Sequence, residues 1–401
     1  MTAPSPKVRT GLDRLAGGDG PTFDGRRVAL LAHPASVTAD LRHARDVLAD
    51  RGARLVSLFG PEHGVFGAAQ DMVAVTDAAD GDVPVHSLYG DDPASLSPRP
   101  EHFHGADVLV CDLADIGVRY YTYAWTVVLA AEVALAAGIE VFVLDRPNPL
   151  GGAADTLEGA AVEPGYDSFV GLHDVPVRHG LSLGELVTLA VTERGRADPA
   201  GLSVVTCEGW DPNAMFDATG LAWVMPSPNM PTLDTATVYP GQCLLEGTNL
   251  SEGRGTTRPF ELFGAPYLDG RALAAALDPA DLAGLAVRPV VFEPTFHKHA
   301  GRACGGLQLH VRCRRAVRSL RTTVAILQAV RRLAGEAFAL RTEPYEFVSD
   351  RPALDLLAGG PFLRQALDDG TAVEALLERE ERNRRSFAER RRPFLRYSRS
   401  S

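Results

Sequence analysis

Cysteine is scarce. The five in 401 residues, at positions 111, 207, 243, 304 and 313, form no CxxC pair and are odd in number. That spacing argues against a disulfide framework and reads as reduced thiols in a cytoplasmic protein. Positive charge is in deficit too: 40 Lys and Arg face 51 Asp and Glu, a formal net charge of -11. Such a balance disfavours nucleic acid and anionic membranes as general partners. Long apolar runs are missing. The opening MTAPSPKVRTGLDRLAGGDG has no apolar core of signal-peptide length, and no later segment is apolar enough for a bilayer span. No GxGxxG follows an early strand, and GxxxxGK[ST] and HExxH are absent. Dinucleotide, P-loop and zincin chemistry therefore have no sequence support. His297, His299 and Cys304 in FHKHAGRAC fit no standard zinc spacing. The expectation is a chain without metal or cofactor whose partner is a small molecule.

What is present is an ordinary globular composition, 45% hydrophobic and 23% charged, long enough for two cores. RVALLA (27–32), RLVSLFG (54–60), DVLVCDL (107–113) and EVFVLD (140–145) read as buried parallel strands. Helical patterns separate them. LRHARDVLAD sets Leu41, Ala44, Val47 and Leu48 on one face. YAWTVVLAAEVALAAG runs into Gly138, and Ser182 with Glu185 has capping-box spacing. Strand alternating with helix predicts a doubly wound, mostly parallel α/β sheet over residues 1–257. A smaller α+β unit, 258–401, is expected from the strand-like GGLQLHVRC and a helix starting at Ser319. That helix lines up Val324, Leu327, Val330 and Leu333.

Ligands in such sheets bind outside the carboxyl ends of the strands. Pro61-Glu62-His63-Gly64 follows one strand. Asp112, Asp115 and Gly117-Val118-Arg119-Tyr120-Tyr121 follow another, and Asp145-Arg146-Pro147-Asn148 follows a third. WVMPSPNMP is expected to place Ser227 and Asn229 after a fourth. These groups are expected to share one cleft. A second cluster, EGTNLSEGRGTTRPFELFG (246–264), combines glycines with Asn249, Glu252, Arg254 and Thr256. It suits a polyhydroxylated ligand that also carries an anion.

These segments carry a family likeness. SLFGPEHGVFG, CDLADIGVRYYTY, VLDRPNPLGG, SFVGLHDVPVRHGLSLGEL, MPSPNMPTLDTATVYPG, EGTNLSEGRGTTRPFELFGAP and KHAGRACGGLQLHV occur in order. Together they resemble the family once known only as DUF1343, represented by exo-β-N-acetylmuramidases of the NamZ type. The resemblance implies a Rossmann-like N-terminal domain, a smaller C-terminal domain and an active site in the cleft between them. It also implies release of N-acetylmuramic acid from the non-reducing end of peptidoglycan fragments, and it carries the family's catalytic glutamate onto Glu62. Members are commonly exported, whereas this chain shows no signal, which points to recycling of imported fragments. HPASV after the first strand and FGAAQDMVAV after GPEHG depart from the family pattern, although Gln70 is retained.

A glycosidase needs a proton donor and a way to stabilise an oxocarbenium-like transition state. Glu62, among Phe59, Pro61 and Phe66, is the expected acid, with His63 as an orienting group. Asp115 or Asp112 is a candidate base or nucleophile, and the substrate's own acetamido group is the alternative. Arg119, Arg146 and Arg254 are candidates for the lactyl carboxylate, and Tyr120 and Tyr121 for the sugar ring. Asn148, Asn229, Asn249, Glu252 and Thr256 complete the candidate contacts. The rival reading is a non-catalytic binding protein for amino sugars or muropeptides, which keeps the cleft but needs no poised acid. An amidase or deacetylase ranks last, for want of a GxSxG elbow or a metal triad.

Overall fold

The computed structural model describes residues 8–67, 69–70 and 73–399. Ten strands and ten α-helices lie among them. The strands are β1 (Arg27–Ala32), β2 (Arg54–Gly60), β3 (Ala78–Asp80), β4 (Val83–Ser87), β5 (Val108–Asp112), β6 (Glu140–Leu144) and β7 (Leu202–Val205), followed by β8 (Leu262–Ala265), β9 (Leu285–Phe292) and β10 (Cys304–Val311). The helices are α1 (Gly11–Gly17), α2 (Ala44–Asp50), α3 (Tyr123–Ala136), α4 (Leu183–Arg194) and α5 (Leu233–Gln242), then α6 (Gly270–Ala275), α7 (Ser319–Ala334), α8 (Ala353–Ala358), α9 (Phe362–Asp369) and α10 (Val373–Arg390).

Strands β1 to β7 form one sheet in the order β3-β4-β2-β1-β5-β6-β7, parallel except for the β3–β4 pair. The four strands read from the sequence are all in it. Both faces are covered, which is why their runs are apolar without interruption. Val28, Leu30, Val108 and Val110 pack with Leu12 and Leu15 of α1 and Val47 and Leu48 of α2. Their neighbours Ala29, Leu31, Leu109 and Cys111 pack on the other face with α3 and α4. Helix α3 is apolar all round because it is buried on nearly every side. The chain order changes direction at β1, which has β2 on one side and β5 on the other.

The second unit is a three-stranded antiparallel sheet, β8-β10-β9, with α7 packed against α5. Its Leu307, Leu309, Ile326 and Leu327 belong to the same apolar cluster as Leu109 and Trp125. The C-terminal segment then returns to the first sheet. The Tyr397 hydroxyl donates to Asp145 Oδ2 at 2.6 Å, and Arg399 pairs with Glu185.

Three expectations need correction. Helix α2 starts at Ala44, not Leu41. Leu41 is left-handed (φ 67°) and exposed, because Thr38 N donates to Arg42 O and the Thr38 hydroxyl bonds Asp40, which closes a local turn instead. Leu333, expected on the buried stripe of α7, is exposed, while Val324, Leu327 and Val330 are buried. Among the described residues no strand immediately precedes WVMPSPNMP, whose three prolines lack the N–H that a ladder requires. Among the departures from the family pattern, Ala68, Asp71 and Met72 fall outside the described residues, as does the MTAPSPK opening.

Candidate active site

Strand β2 ends at Gly60, where an added Cβ would lie 2.5 Å from Val65 N, so the chain doubles back at once. Pro61 and the left-handed pair His63 (φ 72°) and Gly64 (φ 79°) fix that turn. Glu62 is thereby held 6% exposed at the strand's carboxyl end. Thr122, at the N-cap position of α3, makes no capping bond there. Its hydroxyl donates to Glu62 Oε2 at 2.8 Å instead. Phe66, expected to pack on Glu62, is exposed.

His63 Nδ1 donates to Ala69 O at 2.9 Å, which leaves Nε2 as the acceptor. Burial lowers its pKa; Glu62 opposes that shift and Arg254 adds to it, with the net result a neutral imidazole near neutral pH.

Around Glu62 lies a narrow cleft. Residues from both units line it. The first unit contributes Glu62, His63 and Tyr120 to Tyr123, and Ser227 and Asn229 enter from the loop before α5. Glu246, Arg254, Phe260, Tyr345 and Glu346 close the other side. Tyr123 OH donates to Pro226 O at 2.7 Å and Asn229 Nδ2 to Gln70 Oε1 at 3.0 Å, so the loop is tied to α3 and to the segment after Glu62.

Arg254 is the arginine of this lining. It reaches Glu246 Oε1 at 2.8 Å and Glu252 Oε1 at 3.4 Å, and its guanidinium lies 5.1 Å from the Phe260 ring centroid. Glu252 stands behind it. Burial opposes its ionisation, yet Lys298, His297 and Arg254 hold its carboxyl well below the usual range. His297 is thus a partner of Glu252, and His299 Nε2 donates to Asn249 O at 2.7 Å. Among the described residues no group of three His, Cys, Asp or Glu is placed to hold a metal.

Of the candidates read from the sequence, the structure brings Glu62, His63, Tyr120, Tyr121, Asn229 and Arg254 into the cleft. The others are held elsewhere. Arg146 forks onto Asp112 at 2.5 and 2.8 Å, a bidentate pair joining β5 to the end of β6. Arg119 donates to the carbonyls of Ala160, Val175 and Leu357. Asn148 bonds Leu181 O and lies where a Cβ on Gly117 (φ 78°) would be, 2.2 Å from its Oδ1. Asn249 and Thr256 bond the carbonyls of Ala337 and Gly253. Glu252 braces Arg254 from behind.

Asp115 lines a second cavity at the carboxyl ends of β1, β5 and β6 with Trp223, Arg146 and Pro147. Burial pushes its carboxyl up to about 7, against the N–H groups of Gly117 and Ile116. Sequence reasoning missed Thr122, Glu246, Phe260, Tyr345 and Glu346. Glu246 opens the quoted EGTNL stretch, whereas TEPYEFV carries only a carboxylate between two aromatic residues as a signal.

A doubly wound α/β unit that presents a buried glutamate at a strand end, in a cleft roofed by a smaller unit, defines a small-molecule enzyme of the carboxylate type. Two models of one family, "Exo-beta-N-acetylmuramidase NamZ", match this chain: the N-terminal one over residues 28–234 and the C-terminal one over 237–397. The chain belongs to the NamZ exo-β-N-acetylmuramidase family. It is 40% identical to the peptidoglycan β-N-acetylmuramidase NamZ of Bacillus subtilis (strain 168), over 99% of this chain and 93% of that protein. A crystal structure of a DUF1343 family protein from Bacteroides fragilis is similar with a TM-score of 0.87 at 30% identity, covering 98% of this chain and all of that one. A second protein of that description, from the same organism, gives 0.73 at 24% identity over 98% and 99%, a likeness of fold.

Proposed function

We propose that this protein is an exo-acting β-N-acetylmuramidase that releases N-acetylmuramic acid from the non-reducing end of peptidoglycan fragments. The observation that carries the reading is Glu62, the glutamate of the GPEHG block, buried in a cleft between the two units with a hydroxyl on its carboxylate. Glu62 donates its proton to the leaving glycosidic oxygen as the bond to the anomeric carbon breaks. His63, neutral and fixed in one tautomer, orients the sugar or the acid.

The substrate carries one carboxylate, on its lactyl group. Arg254 is the one arginine of the cleft lining among the described residues, so it is the group that receives this carboxylate. Tyr120 and Tyr121 meet the ring. On this reading residues 1–257 carry the acid and 258–401 form the auxiliary wall. No helix among the described residues is long and apolar enough to cross a membrane, and action on imported fragments in the cytoplasm is part of the proposal.

The test is hydrolysis of the 4-nitrophenyl β-glycosides of N-acetylmuramic acid and N-acetylglucosamine, measured side by side. A clear preference for the muramic glycoside is expected. Near-equal rates on the two would remove any role for a lactyl-binding arginine.

A further inference from the structure

The turn after β2 fixes the backbone of Glu62, but an acid has to hold its carboxyl group in place, at the far end of a side chain with several rotatable bonds. Thr122 reaches that end. It is 4% exposed at the start of α3, and its backbone is already helical (φ -61°, ψ -13°). A threonine at a helix start commonly turns its hydroxyl onto the helix's own N–H groups. This one makes no such bond and donates to Glu62 Oε2 at 2.8 Å.

The first turn of α3 is pinned from several directions. Thr122 O accepts from Thr126 N at 3.0 Å and from the Thr126 hydroxyl at 3.3 Å. Tyr123 OH bonds Pro226 O, and the fully buried Trp125 donates from Nε1 to Arg119 O at 2.6 Å. Arg119 in turn ties the two units together, through the carbonyls of Ala160 and Val175 in the first and Leu357 in the second. A β-branched side chain has few χ1 choices. On a backbone held in this way, its hydroxyl is presented to one point.

A hydroxyl donates more strongly to a carboxylate than to a neutral carboxyl group. As the glycosidic C–O bond breaks, its electron pair goes to the leaving oxygen, and Glu62 passes its proton there and becomes a carboxylate. Thr122 keeps its own proton throughout. Its hydrogen bond therefore strengthens as the transition state forms, which is the condition for an interaction to raise kcat. We propose that Thr122 is a positioning residue for the acid, whose hydroxyl holds the Glu62 carboxyl in place and steadies the charge it acquires as the proton leaves. The proposal rests on the muramidase reading above.

The experiment compares wild type, Thr122→Val and Thr122→Ser on the phenyl and 4-nitrophenyl β-glycosides of N-acetylmuramic acid, with Tm recorded for each. Valine keeps the branched shape and deletes the hydroxyl. On the phenyl glycoside Thr122→Val should lose about 10–10²-fold in kcat with KM little changed, the range for one hydrogen bond to a charged group. A nitrophenolate leaves without a proton, so the loss should be smaller on that substrate. Losing a donor disfavours the ionised carboxyl, so the alkaline limb of kcat should move to higher pH. The other titratable groups of the cleft, His63, Glu246, Arg254, Glu346 and the tyrosines, stay in place, so a moved limb reports the lost hydroxyl. Thr122→Ser restores the hydroxyl and should return both kcat and the limb toward wild type. A Thr122→Val kcat within about threefold of wild type, or equal losses on the two glycosides with an unmoved limb, overturns the proposal. If Thr122→Val does not fold, Thr122→Ala is judged by the same criteria. Wild-type inertness on both glycosides overturns the muramidase reading itself, and this proposal with it.

Discussion

His33 is fully buried beside the cleft, with one hydrogen bond on each ring nitrogen. Ala114 N donates to Nε2 at 2.8 Å, so Nδ1 carries the proton and donates to Pro226 O at 3.1 Å. Protonating Nε2 would set two N–H groups against each other. Burial, reinforced by the charge on Arg146, lowers its pKa to about 3. The folded value therefore lies below the unfolded one of about 6.5. Its contribution to stability is complete above that pH and is lost as pH falls toward the folded value. His33→Gln should cost about 1–3 kcal/mol at neutral pH. In thermal melts, its deficit against wild type should shrink as pH drops from 6.5 toward 3. A deficit that is constant with pH would rule this account out. At this scale the sequence showed residue types but not their partners. Glu62 and His63 were legible because a strand end and a Pro-Gly turn are local features. Arg146 was open between pairing with an aspartate and binding a ligand, and the structure pairs it with Asp112; Arg119 was not legible, since Leu357 is 238 residues away.

Helix α4 shows how an element joins the site's scaffold. The Ser182 hydroxyl accepts from Glu185 N and also donates to Asp145 Oδ2 at 2.6 Å, while Glu185 returns a bond to Ser182 N. One side chain thus caps the helix and anchors it to the end of β6. Asp145, pushed up to about 6 by burial, depends on that donor, on Tyr397 and on Gly184 N to remain ionised. Ser182→Ala removes the cap and one donor to a buried carboxylate, so urea unfolding should show a loss of about 1–3 kcal/mol. A loss below about 0.5 kcal/mol would contradict the dual role. The capping box and the four early strands were legible from spacing and apolar runs. Strands β3, β4 and β7 were not, because three to five residues carry too short a periodic signal. WVMPSPNMP misled for a different reason: Trp223 and Val224 are apolar because they line the second cavity, not because they lie in a strand.

At the scale of the whole molecule, the cleft exists only because two sheets share one apolar cluster. The first sheet presents the acid at the end of β2, and Phe260 before β8 and Tyr345 and Glu346 between α7 and α8 face it. Two-unit architecture was legible from the change in strand pattern along the chain, but the wall of the cleft was not. Nothing in TEPYEFV announces that a hairpin will carry its glutamate to a point facing residues almost three hundred positions earlier. Activity is then a property of the assembled molecule, and one substitution tests it. Glu62→Gln keeps the side chain's shape and its hydrogen bond with Thr122 but cannot act as a carboxylic acid. The decisive measurement is kcat of purified Glu62→Gln on the phenyl β-glycoside of N-acetylmuramic acid, with its Tm. The account predicts a loss of about 10²–10⁴-fold at an unchanged Tm. A folded Glu62→Gln protein turning over at the wild-type rate would contradict it.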